Sequence, residues 1–388
     1  MDRITLRVAI SVICAAAIGL LLGYATESGL AFCVLMPTLC FLQKRRIHAF
    51  LVAFAYYGAA STILISGLRS FFGPGTTLQL ALELWGIACF LLALPFGALW
   101  SNHPSAAWWR APLAVLASVP PPLGIIGWAN PLTAAGTLFP GTRWFGLLAV
   151  LGFAAFSPAH LRTSAAALTI SAIVADGVFP GVPEPPADWE AVDTTFGNVG
   201  VKSSSMLKQY ETAQYIQQRS LESRARVIVF PETVVPRWSE ATDLFWGPTL
   251  SRLASSGKIL LIGAGVDIPA TKEYQNVAII RGAETGAFLQ RIPVPIGMWQ
   301  PWSDEGVPLR VFQPGAITIA EEKVAVLVCY EQFLVWPVLT SFARRPTLLV
   351  GMSNNYWSRQ TSIPRVQKIL FSVWARLFRL PFLSAVNT

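Results

Sequence analysis

The chain has 388 residues, 53% of them hydrophobic and only 13% charged, about half the ~25% charged content usual in soluble domains. That balance excludes intrinsic disorder and argues against an ordinary soluble enzyme. The net charge of +8 does not mark a nucleic-acid binder: residues 181–388 carry twenty Lys+Arg against seventeen Asp+Glu, with no basic run longer than Arg344-Arg345, whereas a basic footprint gathers on the binding domain.

Residues 1–180 carry nine Lys+Arg and four Asp+Glu and read as a membrane domain. Spans need about 20 mostly apolar residues. Seven windows are candidates: Leu6–Tyr24, Gly29–Leu42, Ile47–Leu68, Leu78–Trp100, Ala111–Ala129, Trp144–Ala159 and Thr163–Phe179. Arg3, Arg7, Lys44, Arg45, Arg46, Arg110 and Arg162 fall in alternate loops, opposite Glu27, Arg69 and Arg143. By the positive-inside rule the N-terminus is cytoplasmic. Seven crossings of a bacterial inner membrane then place residue 181 onward in the periplasm, and a span count differing by one reverses this. Glu83 lies inside the fourth window, where a carboxylate is either functional or an interhelical hydrogen-bond partner.

Phe179–Pro186 is a Pro-rich linker, dividing a helical membrane domain (1–180) from a second domain (181–388). There, Ser203–Arg224 reads as an amphipathic helix with Ser203 to Ser205 as N-cap candidates. Apolar runs at Arg226–Phe230, Ile259–Gly263, Val277–Ile280, Val324–Val328, Thr347–Val350 and Leu383–Val386 read as strands. Helices are predicted at Thr242–Ser255, Phe333–Phe342 and Ile363–Phe378, which together give an α/β domain with covered sheet faces. Gly263-Ala-Gly265 is too short for a nucleotide fingerprint.

The chemistry narrows by elimination. His48, His103 and His160 all lie in the first domain, so Ser-His-Asp, Cys-His and His-ligated zinc chemistry are unavailable within the second. No metal or cofactor is expected. Cys14, Cys33, Cys40 and Cys89 fall in apolar windows, leaving Cys329 as the lone thiol of the second domain. Two strand ends stand out: Arg226–Phe230 runs into Pro231-Glu232, and Val324–Val328 into Cys329-Tyr-Glu331. Strand C-termini are where open α/β sheets place ligands. A thiol leading into a helix is expected to have a lowered pKa. A strand-end Glu also serves as a cap or salt-bridge partner, and a lone Cys as an inert buried thiol.

These segments resemble the nitrilase (carbon–nitrogen hydrolase) superfamily. Asn276–Gly286, Val294-Pro-Ile-Gly297 and Ser353-Asn-Asn-Tyr-Trp357 match further family segments in order. Spans before such a domain are similar to the apolipoprotein N-acyltransferase family. The Met298-Trp-Gln-Pro-Trp302 run and the ending after Trp374 resemble conjugal-transfer proteins of TraB type. The resemblance implies an αββα sandwich, short at its C-terminal end, with Glu232 as general base, Cys329 as thioester-forming nucleophile and Glu331 as supporting carboxylate. Gln290 stands at the family's lysine, with Arg291 next to it as the alternative cation, and Met298 stands at the acyltransferase's loop Glu. Two readings stay open: an acyltransferase or amidase acting on a membrane lipid and a lipoprotein, or a non-catalytic component docking on conjugation-machinery proteins. Neither implies direct nucleic-acid binding.

Overall fold

The computed structural model describes residues 3–24, 26–73, 75–179, 181–200 and 204–388. Of the positions named above, Pro180 and Ser203 lie outside the described residues. The chain forms two compact units: Met1–Val182 with Phe333–Trp336 and Gln360–Arg379, and Pro183–Gln332 with Pro337–Arg359 and Leu380–Thr388.

The first unit is helical: α1 (Arg3–Gly23), α2 (Glu27–Phe32), α3 (Met36–Phe41), α4 (Arg46–Ala60), α5 (Thr62–Phe72), α6 (Leu78–Leu99), α7 (Pro104–Ala117), α8 (Ala134–Leu138), α9 (Trp144–Phe156) and α10 (Leu161–Val178). Small residues let α1 and α4 touch backbone to backbone, as in membrane helix pairs. A Cβ at Gly19 would sit 2.3 Å from the Tyr56 carbonyl, and one at Gly23 2.8 Å from that of Ala60.

Among the described residues, three helices are long and apolar enough to cross a membrane: Ile4–Gly23, Leu78–Leu99 and Leu161–Val178. The α4–α5 pair passes together but bends by 48°. Gly29–Phe41 and Trp144–Phe156 are shorter apolar helices. The fifth window does not form one helix. Its helix stops at Ala117, and Pro120, Pro121 and Pro122 follow, which lack the N–H a helix needs. The irregular stretch after them buries its polar groups in protein, the condition for non-helical backbone at membrane depth: Tyr56 Oη donates to the Ala129 carbonyl at 2.7 Å, and Asn130 Nδ2 to Ser118 Oγ at 2.9 Å. Glu83 is exposed and accepts from Gln79 Nε2 of its own helix at 2.8 Å, so the bond shown is intrahelical and not interhelical.

The second unit holds two mixed sheets. The first runs β1 (Trp189–Ala191), β2 (Val227–Val229), β3 (Ile259–Asp267), β4 (Lys272–Gly282) and β5 (Gly286–Leu289), with β6 (Glu305–Gly306) paired to β4. The second contains β7 (Ala316–Ile319), β8 (Glu322–Val328), β9 (Leu348–Asn354) and β10 (Phe382–Asn387), in the order β10-β9-β8-β7. The pairs β1–β2–β3 and β8–β9–β10 are parallel. Their inner faces form one core: Val227, Val229, Leu261 and Ile280 meet Val324, Val326, Val350 and Met352. Ile228, Phe230, Leu260 and Ile262 face the other way, against Ile216 of α11 (Met206–Glu222) and Trp246 and Leu253 of α12 (Glu240–Ser255). Strands buried on both faces read as unbroken apolar runs, which is why they are legible in the sequence. Ser205 caps α11, accepting from Lys208 N.

The five-residue 3₁₀ turn Cys329–Phe333 leads to α13 (Val335–Phe342). Helix α14 (Ile363–Phe378) belongs to the helical unit despite its place in the sequence. It buries Val366, Leu370, Phe371, Trp374, Leu377 and Phe378, the one-sided spacing of an amphipathic helix. Its backbone touches α8, where a Cβ on Gly136 would lie 2.1 Å from the Val373 carbonyl.

Candidate active site

Strand β2 delivers Glu232 through Phe230 and Pro231. The 231–238 segment then runs along β3: Gly263 N donates to Pro231 O at 3.1 Å, Val235 N to Gly263 O at 3.2 Å and Trp238 N to Gly265 O at 2.7 Å. Only glycine allows this approach, since a Cβ at Gly263 would lie 2.4 Å from the Glu232 Cα and one at Gly265 2.7 Å from the Pro236 carbonyl. The Gly-Ala-Gly run therefore seats the carboxylate.

Glu232 is buried. Its Oε1 accepts from Asn276 Nδ2 at 2.6 Å and its Oε2 from the Asn354 amide at 3.1 Å. The Cys329 thiol is hydrogen-bonded to the same carboxylate. Cys329 follows β8 with φ +48°, and Thr233, beside Glu232, has φ +50°. Both are left-handed, a region costing a non-glycine residue about 1–2 kcal/mol. Strain of this kind clusters at functional sites.

Burial is the main force on both groups. It raises the Glu232 pKa from 4.5 to about 7, with the Glu331 charge adding to the rise and the Cys329, Asn276 and Asn354 hydrogen bonds opposing it. Burial also holds the Cys329 thiol well above its ordinary value, followed by the Glu232 charge and hydrogen bond, against weaker opposing bonds from the Asn354 and Tyr330 backbone. This corrects the expected lowering of the thiol pKa. A short 3₁₀ turn follows Cys329 in place of a helix N-terminus, and the facing group is an anion.

Gln290 and Arg291 part company. Gln290 is buried and faces the carboxylate network: its Oε1 accepts from Asn276 Nδ2 at 3.0 Å and its Nε2 donates to Val328 O at 3.3 Å. Arg291 instead forms a fully buried pair with Glu331, at Nε–Oε1 3.1 Å. It also donates to Pro337 O at 3.2 Å and Thr340 Oγ1 at 3.3 Å. Glu331 accepts in addition from the Arg291, Ile292 and Val328 amides at 2.8, 3.2 and 3.1 Å. The structure thus gives no support to Arg291 as the cation at the thiol. The guanidinium is committed to Glu331, and the neutral Gln290 amide lies next to the Asn276 that holds Glu232. Met298 sits in a turn closed by its own amide on Val294 O at 2.8 Å and brings no ionisable group.

Asn276 and Asn354, which hold the Glu232 carboxylate, carry no chemical signal of their own in the sequence; their signal is their place in the ordered segments Asn276–Gly286 and Ser353–Trp357. Among the described residues no group of His, Cys, Asp and Glu could hold a metal ion.

No family model matches the chain. It is 31% identical over 373 residues to a probable conjugal transfer protein TraB of Sinorhizobium fredii, covering 94% of each chain. It is 26% identical over 164 residues to an apolipoprotein N-acyltransferase of Methylococcus capsulatus, covering 39% of this chain and 32% of that protein. Among solved structures, a carbon–nitrogen hydrolase of Helicobacter pylori aligns with 51% of this chain and 73% of its own, at a TM-score of 0.38 and 13% identity.

Proposed function

The chain belongs to the TraB conjugal transfer family, and from that premise we propose that it serves conjugal transfer as a membrane protein forming an acyl thioester on Cys329. The observation that carries this reading is the buried Glu232 carboxylate hydrogen-bonded to the Cys329 thiol. A carboxylate poised near 7 is matched to proton transfer at neutral pH. Glu232 takes the thiol proton as the sulfur attacks an acyl carbonyl carbon, and passes it to the departing amine or alcohol. An acceptor amine or water then attacks the thioester, giving its proton to Glu232, and the sulfur leaves and is reprotonated. Splitting one acyl transfer into two steps lowers both barriers. Arg291 and Glu331 act in this scheme as positioning residues for the turn that carries Cys329.

The charge pattern supports a cytoplasmic N-terminus in a multi-pass inner-membrane protein, and the periplasmic side proposed for the second unit requires an odd number of crossings. Membrane lipid and conjugation-machinery proteins are its proposed partners. Transfer of an acyl chain from a phospholipid to a lipoprotein N-terminus is the second reading, favoured by the match to an apolipoprotein N-acyltransferase.

Cys329→Ala separates the catalytic role from a purely structural one. At equal protein abundance, conjugal transfer is expected to fall to the level of a deletion strain. Wild-type transfer by the variant would sink the thioester. The second reading predicts rescue of a strain depleted of its own apolipoprotein N-acyltransferase, and failure by a well-expressed chain ends it. Gln290→Lys tests the neutral amide. A cation near Glu232 favours its charged form, so the rise of thiol acylation with pH is expected to move to lower pH by about 1–3 pH units. An unmoved profile would show that position 290 does not act on the base.

A further inference from the structure

Helix α10 stands off from α9. Of its residues only Ala175 is buried, and Ile170, Ile173, Val174 and Val178 are all exposed. Between the two helices lie two apolar cavities of about 370 and 220 Å³. Both are lined by Phe139, Ala149 and Ser171, so they form one slot, reaching from Phe179 at one end to Phe156 and Ser164 at the other. The fourteen residue steps from Ser164 to Val178 make it about 21 Å long. Over that length the two volumes give a narrow groove, with the section of a single extended chain.

Its Phe179 end is cationic. The Arg379 guanidinium lies 5.6 Å from the Phe179 ring centroid. Arg143 is exposed beside Thr142, which lines the slot. Arg376 is tied to Asp176 of α10 at 2.5 Å, holding the helix end in place. This mouth thus carries three arginines and one aspartate.

We propose that the α9–α10 slot binds an anionic phospholipid, with one acyl chain along the slot and the phosphate at Arg143 and Arg379. This is a bound lipid and not an acyl donor for Cys329, and it stands independently of the thioester reading. Gly152 supplies a clean test. It lines the slot, and a Cβ there meets nothing within 4 Å, so Gly152→Leu adds its bulk from an unobstructed position.

The full chain would be placed in vesicles of phosphatidylethanolamine and phosphatidylglycerol carrying phosphatidylglycerol with a photoactivatable acyl chain, and the labelled peptides mapped. Labelling is expected to concentrate on α9 and α10, and Gly152→Leu should reduce it to the level of the lipid-facing sides of α1 and α6. The double substitution Arg143→Gln, Arg379→Gln should weaken capture of the phosphatidylglycerol probe about thirtyfold, at roughly 1 kcal/mol per basic residue near an anionic surface, while a phosphatidylcholine probe, whose choline offsets its phosphate charge, is weakened much less. Even labelling of all lipid-facing helices, or labelling unchanged by Gly152→Leu, overturns the site. Equal capture of the two probes by the wild type overturns the anionic headgroup. Exclusion of both probes by a helix crosslinked from another protein would show that the slot seats a protein instead.

Discussion

Replacing Arg291 by Met is expected to destabilise the second unit by about 3–5 kcal/mol, because it leaves the Glu331 carboxylate buried without its cation. Both side chains are essentially inaccessible, at 1% and 0% exposure, so solvent offers no screening. Glu331 also gathers three backbone amides, from Arg291, Ile292 and Val328. It thereby ties the β5–β6 connection to the turn that presents Cys329. The loss should appear as a fall in the thermal midpoint on the order of 10 °C for the full chain in detergent. Arg291→Lys should fall between the two, since an ammonium keeps the charge but not the fork geometry. A Met variant as stable as the wild type would show that the pair does not hold this turn.

Glu232→Gln is expected to slow acylation of Cys329 by about 10²–10⁴, the usual worth of a positioned general base. In the wild type, labelling of Cys329 by an acyl probe should rise with pH through about 7, where Glu232 becomes charged. The same group sets a stability trend of definite sign. Its folded pKa lies above its ordinary 4.5, so between about pH 4.5 and 7 the folded state holds a proton the unfolded chain has lost. Stability from this group is complete below 4.5 and declines as pH rises to about 7, by on the order of 3 kcal/mol. Glu232→Gln should flatten that decline while abolishing the pH dependence of labelling. Equal labelling of variant and wild type would rule out a Glu-activated thiol.

The two substitutions divide the site into a reacting pair and its support. Glu232 and Cys329 meet through one hydrogen bond. Asn276 spans Glu232 and Gln290, and Arg291 with Glu331 stiffens the turn behind the thiol. Burial raises the Glu232 pKa to about 7, and the Glu331 charge adds to the rise with no nearby cation to oppose it.

By itself the sequence determined the division between an apolar, sparsely charged region and a more charged α/β region. It also determined the strands that bury both faces and the candidacy of Glu232, Cys329 and Glu331, because apolar runs and strand-end residues are local patterns. Helix α14 was legible to its end residues, Ile363 and Phe378. What only the tertiary structure decided was non-local. Neighbours in sequence, Gln290 and Arg291, point to different partners, since alternate residues of an extended chain face opposite ways. Membership of α14 in the helical unit depends on its close approach to Gly136, which no periodicity encodes. The fifth apolar window failed as a helix because three prolines outweigh hydropathy, and the short strands β1, β5 and β6 formed through pairing with neighbours rather than through propensity of their own.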